Sequence, residues 1–280
     1  MYILNRFKNL NNFNDKEKFY KLFFNNLHIG YIHKIIIKYI LNEGLKIYLS
    51  SKSVFIIEKN ITKVNYLMSQ IAHTLRKKKK ISSLTGELFP CVEALGRKEL
   101  FCLDRALVEM LGIKGYGVHL IAYYKNRNKL KLWIPKRSLK KKVDPGKLDN
   151  TVAGGVSHGE TVYNALYREA FEEAGFKKTL IKKATCTGTL KYNWRNKKYS
   201  LRRDILYLFE IEVDNKFEPE CKDGEVENYR LLDWEDVLEN IKSSNDFKLN
   251  SALVIIIFLI RKGLINPKNE LNYEKVNNFF

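Results

Sequence analysis

The chain has 280 residues, 45% of them hydrophobic and 29% charged, and 50 Lys and Arg against 31 Asp and Glu give it a net charge of +19. That length suits one catalytic core plus a smaller companion, and that composition excludes wholesale disorder. Four scattered cysteines without a CxxC pair exclude a zinc ribbon and a disulfide scaffold. The longest apolar run, Ala252 to Ile260, is far below the ~20 residues that span a bilayer, so no membrane association is expected. The N-terminus shows no secretory pattern, and a cytoplasmic location is expected. The excess charge is mostly Lys, mixed with Asn and Ile as in Asn25-Asn26 and Ile35-Ile36-Ile37. This texture reads as surface drift more than a recognition patch. Without a zinc knuckle, RGG tract or RNP-type aromatic strand, no specific nucleic-acid partner is expected.

In chain order, Asp15 to Leu27 reads as an amphipathic helix, and Tyr31 to Leu41 is ambiguous. Lys46 to Glu58 is strand-like, and Asn65 to Lys79 is helical, ending in a basic run. Leu103 to Leu111 reads as a helix closed by Gly112. Two strands, Gly117 to Tyr124 and Leu130 to Lys136, flank Lys125-Asn126-Arg127-Asn128, a hairpin signal. A short strand from Leu148 to Ala153 runs into Gly154-Gly155, and a helix follows from Thr161 to Ala174. Ala184 to Trp194 and Leu201 to Val213 form a second hairpin. Glu225 to Leu232 is a further strand, followed by a helix from Trp234 to Ile241 capped by Asp233. The last helix, Ala252 to Ile260, is capped by Asn250 or Ser251 and stopped by Gly263. Strands interleaved with helices and hairpins predict an α/β fold with a mixed sheet between helical layers. A smaller α+β unit over residues 1–112 is expected to precede the main domain, 113–280.

The chemistry concentrates between Gly154 and Phe176. A glycine-rich loop leads into a helix dense in acids, and Gly175 ends it. Glu169, Glu172 and Glu173 are spaced i, i+3, i+4, which sets them on one helical face within about 6 Å Cβ to Cβ. Like charges so placed repel, and a hard divalent cation, Mg²⁺ above all, is the fitting partner. Val162, Ala165, Leu166 and Ala170 form the apolar stripe that pins the helix to a sheet. Arg168 sits among the acids and is expected to orient one of them.

The full stretch is Gly154, five residues, Glu160, seven residues, Arg168-Glu169, Ala170, one residue, Glu172-Glu173, one residue, Gly175, Phe176. It resembles the signature of the Nudix hydrolases, with Ala170 small where the family usually has a larger aliphatic. The similarity extends to Arg105-Ala106, Tyr116-Gly117-Val118-His119, Trp133, Arg137-Ser138, Pro145 to Gly155, Arg203-Asp204, Asp223 to Glu227 and Phe247-Lys248. These residues resemble the thiamine-pyrophosphokinase-related Nudix group of fungi, plants and bacteria. That resemblance implies a Nudix α/β/α sandwich behind an extra N-terminal domain. It also implies hydrolysis of oxidised, damaged thiamine diphosphates to monophosphates, a metabolite-repair role.

The same resemblance implies that Glu169, Glu172, Glu173 and the Ala153 carbonyl hold Mg²⁺, with Mn²⁺ as the alternative. Gly154, Gly155, Glu160 and Gly175 would support the loop. Lys136, Arg137, Lys141 and Asn150 are candidates to bind the diphosphate of a small-molecule substrate. The general base is open among Glu173, Glu225 and Glu227, with His119 and His158 weaker. A histidine on a strand between Val118 and Leu120 is more often a hydrogen-bonded core residue. Competing readings are a Nudix hydrolase of a nucleoside-diphosphate derivative such as ADP-ribose or a dinucleoside polyphosphate, and an RNA-binding or decapping protein. An isoprenoid diphosphate isomerase shares the fold, but the intact Arg168 and acid set favours hydrolysis. Oligomeric state is not legible.

Overall fold

The computed structural model describes residues 3–14, 18–127, 129–195 and 197–279. The first part of the chain contains α1 (Ile3–Leu10), β1 (Phe19–Phe24), β2 (Leu27–His33), α2 (Lys34–Asn42), β3 (Ile47–Ser50), β4 (Ser53–Ile56), α3 (Ile61–Lys77), β5 (Leu88–Cys91), β6 (Phe101–Asp104) and α4 (Arg105–Val108). Strands β2-β1-β4-β3 form one sheet, with β1 and β4 parallel, and β5-β6 form a separate two-stranded ribbon. Sheet and ribbon share a core with α2 and α3 that includes Leu22, Ile36, Val54, Met68, Ile71 and Leu103.

The helix expected over Asp15 to Leu27 is not there. Residues 15–17 lie outside the described residues, and from Phe19 onward the chain is a hairpin. Its two-residue turn is Asn25-Asn26, both at positive φ (48° and 63°). Such a turn matches the twist of paired strands, and Asn tolerates the left-handed region. The helix expected from Leu103 starts later, because Leu103 is paired in β6. Asp104 then accepts the Ala106 N–H at 2.8 Å and starts α4.

The remainder contains β7 (Lys114–Asn126), β8 (Lys129–Arg137), β9 (Val152–Gly155), α5 (Val162–Ala174), α6 (Lys178–Ile181), β10 (Thr185–Trp194), β11 (Arg202–Glu212), β12 (Val226–Asp233), α7 (Trp234–Ser243), α8 (Leu249–Arg261) and α9 (Tyr273–Asn277). The mixed sheet runs β10-β11-β7-β8-β12, and β9 also pairs with β7. The long strand β7 is parallel to β11 on one side. On the other side it pairs with β9 through Gly117–Leu120 and with β8 through Tyr123–Asn126.

Alternation along β7 divides the two faces. Tyr116, Val118, Leu120 and Ala122 pack with α5, whereas Ile121 and Tyr123 pack toward α8. The fold is therefore an α/β sandwich around a mixed sheet, preceded by a smaller α+β portion. Helix α1 is a topological exception: Ile3, Leu4, Phe7 and Leu10 join the core beneath α8, and Phe7 stacks on Phe279 at 5.1 Å.

Two cap expectations are revised. Helix α8 starts at Leu249 with Lys248 at its N-cap, which places Asn250 and Ser251 inside its first turn, both buried. Asp233 stands at the N-cap of α7 but makes no capping bond with its side chain. It pairs instead with Lys131 at 3.3 Å. Among the described residues no helix is long and apolar enough to cross a membrane.

Candidate active site

The site is built where β9 leaves the sheet. Ala153 and Gly154 are in register with His119 and Val118 of β7. The chain turns through Val156 to Glu160 and enters α5, whose N-cap Thr161 accepts the Asn164 N–H at 3.2 Å. Gly175, at φ 66°, closes the helix in the left-handed conformation. Ala165, Leu166, Ala170 and Ala174 are buried against the sheet. The small residue at 170 belongs to this close-packed seam.

The three expected acids share a helical face but not an environment. Glu169 and Glu173 are buried, 8% and 5% exposed, and Glu172 lies at the rim. Arg168 joins them. It donates to Glu160 through Nε and Nη2 (2.7 and 2.9 Å), to Glu169 through Nη1 (2.8 Å), to Glu172 through Nη1 (3.3 Å) and to the Gly155 carbonyl (3.1 Å). Arg168 thus holds Glu160, Glu169 and Glu172 together rather than one acid alone, and leaves Glu173 to another partner. Glu160 in turn accepts the Ser157 N–H at 3.0 Å, and the Arg168 hydrogen bond keeps its pKa below the ordinary value.

Glu173 Oε2 accepts the Ala153 N–H at 2.8 Å. Burial, then the neighbouring Glu169 carboxyl, pushes its pKa well above the ordinary carboxylate range, with smaller contributions from Asp149 and Glu225. Glu169 is also raised, again by burial, although Arg168 opposes this. Tyr229 of β12 closes the floor. Its hydroxyl lies 2.9 Å from the Glu173 carbonyl and 3.1 Å from that of Thr151.

Among the described residues, no three His, Cys, Asp or Glu side chains converge into a metal-binding group as they stand. Arg168 supplies the positive charge among the acids instead. The donor set nonetheless fits a hard cation. Two adjacent buried carboxylates are mutually destabilising without one, and Mg²⁺ and Mn²⁺ prefer carboxylate and carbonyl oxygens.

The residues expected to meet the diphosphate fall into two groups. Lys136 pairs with Glu227 at 3.1 Å, and Lys141 pairs with Glu225, both at the partly exposed end of β8 and β12. Arg137 and Asn150 are interior. Arg137 is 7% exposed and bonds Asp149 (2.8 Å) and the carbonyls of Val143 and Asp144. Asn150 is 1% exposed, donates to the Ser251 carbonyl at 3.1 Å and contacts His119 Nδ1 at 2.6 Å. Their polar groups are used in tying β8 and the Pro145–Asn150 loop to α8. His119 is a buried core histidine whose pKa falls to about 4, chiefly by desolvation and then by Lys248.

Sequence reading did not place Glu87, Glu99 or Tyr229 here. Glu87 meets Ser157 across 70 residues of chain, a separation that no local pattern bridges.

A glycine-rich turn feeding an arginine-tied, acid-lined helix against a mixed sheet defines a Nudix-type domain. The NUDIX domain model matches residues 115–252. The chain is 35% identical to Nudix hydrolase 24, chloroplastic, of Arabidopsis thaliana, over 86% of this chain and 67% of that protein. It is 39% identical to Nudix hydrolase 20, chloroplastic, of the same plant, over 68% of this chain and 50% of that protein. The chain therefore spans about two thirds of the first relative and half of the second. A solved structure from Deinococcus radiodurans overlaps 60% of this chain and 97% of its own, with a TM-score of 0.44 and 22% identity. The chain belongs to the Nudix hydrolase family of enzymes.

Proposed function

We propose that this protein is a divalent-metal-dependent hydrolase that cuts the diphosphate of a small organic molecule, and that its substrate is an oxidised, damaged thiamine diphosphate converted to the monophosphate. The observation that carries the hydrolase reading is the buried Glu169–Glu173 pair, Glu169 fixed by Arg168 and Glu173 by the Ala153 amide. The thiamine half rests on the resemblance of Tyr116 to His119, Pro145 to Gly155 and Phe247-Lys248 to the thiamine-pyrophosphokinase-related group. The division into an N-terminal unit over residues 1–112 and a Nudix domain over 113–280 belongs to the same proposal, with α1 packed across it.

Glu169, Glu172, Glu173 and the Ala153 carbonyl would hold the Mg²⁺ or Mn²⁺. Bound there, such a cation neutralises diphosphate oxygens and lowers the pKa of a water. The protein's own groups do the rest. Arg168 keeps the acids in place, and Glu160 keeps the loop against Arg168. The proton of the attacking water goes to a carboxylate at this rim, with Glu173, Glu225 and Glu227 as the candidates. Lys136 and Lys141 draw the anionic substrate to that rim. Water adds to one phosphorus, the bridging P–O bond breaks, and inorganic phosphate and the monophosphate leave.

The test is a phosphate-release screen of the purified chain against oxidised thiamine diphosphates, ADP-ribose, dinucleoside polyphosphates and capped RNA. The highest kcat/KM is expected for the oxidised thiamine diphosphates. A preference for ADP-ribose or capped RNA overturns the thiamine half, and hydrolysis of none of the four overturns the whole reading.

A further inference from the structure

The loop that carries Glu160 is held from outside the Nudix domain. The His158 N–H donates to the Leu88 carbonyl at 2.7 Å, and the Gly159 N–H donates to Glu99 Oε1 at 3.2 Å. The His158 ring also contacts Glu99. The Ser157 hydroxyl donates to Glu87 Oε1 at 2.6 Å. Arg105 fixes the other Glu87 oxygen at 2.9 Å and lies over the Phe89 ring. Phe89 meets the loop so closely that a β-carbon at Gly155 would stand 2.5 Å from its Cζ. The β5–β6 ribbon and the residues flanking it therefore run along the loop from Gly155 to Gly159.

The sheet that shares a core with the ribbon is itself locked to Leu111 and Gly112, the residues that lead into β7. A β-carbon at Gly30 of β2 would lie 2.4 Å from the Leu111 carbonyl oxygen, and one at Gly112 would lie 2.4 Å from that of Tyr31. Two backbones in direct contact leave no side chain to yield, and close-packed seams transmit displacement rather than absorb it.

The contacts form a relay. Glu87 holds the Ser157 hydroxyl, the Ser157 amide holds Glu160, Glu160 holds Arg168 through two bonds, and Arg168 holds Glu169 and Glu172. We infer that Glu87, in the N-terminal part of the chain, is a positioning residue of the active centre, fixing the loop through Ser157 and thereby setting Arg168 against the acids. For its catalytic consequence this rests on the diphosphate-hydrolase reading. For its structural consequence it does not. Groups that orient metal-binding or reacting side chains typically matter 10- to 100-fold when removed, because small displacements at the reacting centre are costly.

Hydrogen exchange of the full chain, read by mass spectrometry, tests the structural half. Steady-state kinetics on the best substrate of the screen test the catalytic half. Glu87→Ala is expected to speed exchange over residues 156–161 while leaving residues 185–213 as in the wild type. It is also expected to lower kcat about 10- to 100-fold, with KM within about twofold. Glu87→Gln, whose amide oxygen still accepts from Ser157, should restore protection and most of kcat. The Glu87→Ala/Ser157→Ala double variant should be no worse than the worse single one, as members of one relay are not additive. Wild-type exchange over 156–161 in Glu87→Ala overturns the inference, as does an unchanged kcat or a rise in KM alone. If Glu87→Ala does not fold, Ser157→Ala removes a single hydroxyl and is expected to show the same two effects; native values for both overturn the inference. If the wild type hydrolyses nothing in the screen, the hydrolase reading fails, and the exchange arm still decides whether Glu87 holds the loop.

Discussion

A β-carbon at Gly154 would lie 1.8 Å from the carboxyl carbon of Glu169. Strand β9 and helix α5 meet at this point with only the Glu169 side chain between them. Gly154 does not adopt a positive φ, so the contact with the acid, and not the backbone conformation, requires glycine. The relationship ties the loop glycine to a carboxyl 15 positions later, on the first turn of the helix's acidic half.

Gly154→Ala should therefore move Glu169 rather than unfold the domain. Overpacking of this kind costs about 1–3 kcal/mol, which for a chain of this size lowers Tm by several degrees. Activity should fall by about tenfold or more, as Glu169 is displaced from Arg168. Thermal unfolding beside steady-state kinetics measures both. A variant with native Tm and native kcat would show that the helix relaxes without consequence.

Glu173→Gln should separate metal binding from folding. Saturating Mg²⁺ at a hundred times its Kd stabilises a protein by about 2.7 kcal/mol, and the variant should lose most of that gain together with its turnover. Without metal the sign reverses. Burial raises the Glu173 pKa well above its ordinary 4.5, so the folded state binds the proton more tightly than the unfolded chain does. As pH rises past 4.5, that group lowers stability until the folded pKa is passed. The metal-free variant lacks this penalty and should unfold at a higher temperature than the wild type at pH 8. An equal Mg²⁺-induced Tm rise in both proteins would remove Glu173 from the ligand set.

His119 gives an acid-sensitivity prediction in a separate window. Its pKa falls from 6.5 to about 4 on folding, mostly by burial and then by Lys248. The unfolded chain therefore binds the proton first. Stability is intact above pH 6.5 and declines as pH falls toward 4, by up to roughly 3 kcal/mol. The Asp149 carboxyl is depressed below its ordinary 3.8 by Lys248 and Arg137 against the burial that opposes them, so its own loss lies at lower pH. His119→Gln should show a flatter Tm between pH 7 and pH 5 than the wild type. Parallel profiles would mean that another group dominates this range.

Arg137→Ala distinguishes a substrate contact from a structural ion pair. Arg137 and Asp149 are buried partners at 2.8 Å, and removing one member of such a pair costs about 3–5 kcal/mol because it strands the other charge. Lys248 also contacts Asp149, at 3.3 Å, and offsets part of that loss. Expected is a Tm drop of about 10 °C with KM little changed in the protein that remains folded. A large KM increase at native Tm would return Arg137 to the diphosphate.

Several features were legible because they are local. The acids at 169, 172 and 173, the turn glycines and the apolar positions 165, 166 and 170 repeat at helical spacing. That spacing fixed a helix with one apolar and one acidic face before any tertiary contact was known. The β7–β8 and β10–β11 hairpins were read in the same way, from alternation around a polar turn. The helix read over Asp15 to Leu27 failed where two periods compete. Leu22 and Phe24 bury on one strand face, and the Asn25-Asn26 turn, read only as compositional drift, reverses the chain.

By itself the sequence determined the acid-lined helix, its glycine-rich entry and the kind of cation those carboxyls suit, because one turn of helix brings residues three and four apart into contact. Only the tertiary structure decided which charges face outward. Arg137 and Lys141 are both basic residues near the same strand end, yet Arg137 is buried on Asp149 while Lys141 stays near the surface with Glu225. It also decided that Glu87 and Glu99 of the N-terminal part bond the loop at Ser157 and Gly159. Burial and long-range hydrogen bonding depend on how separate elements pack, and a residue's type and near neighbours do not record what the rest of the chain brings against it.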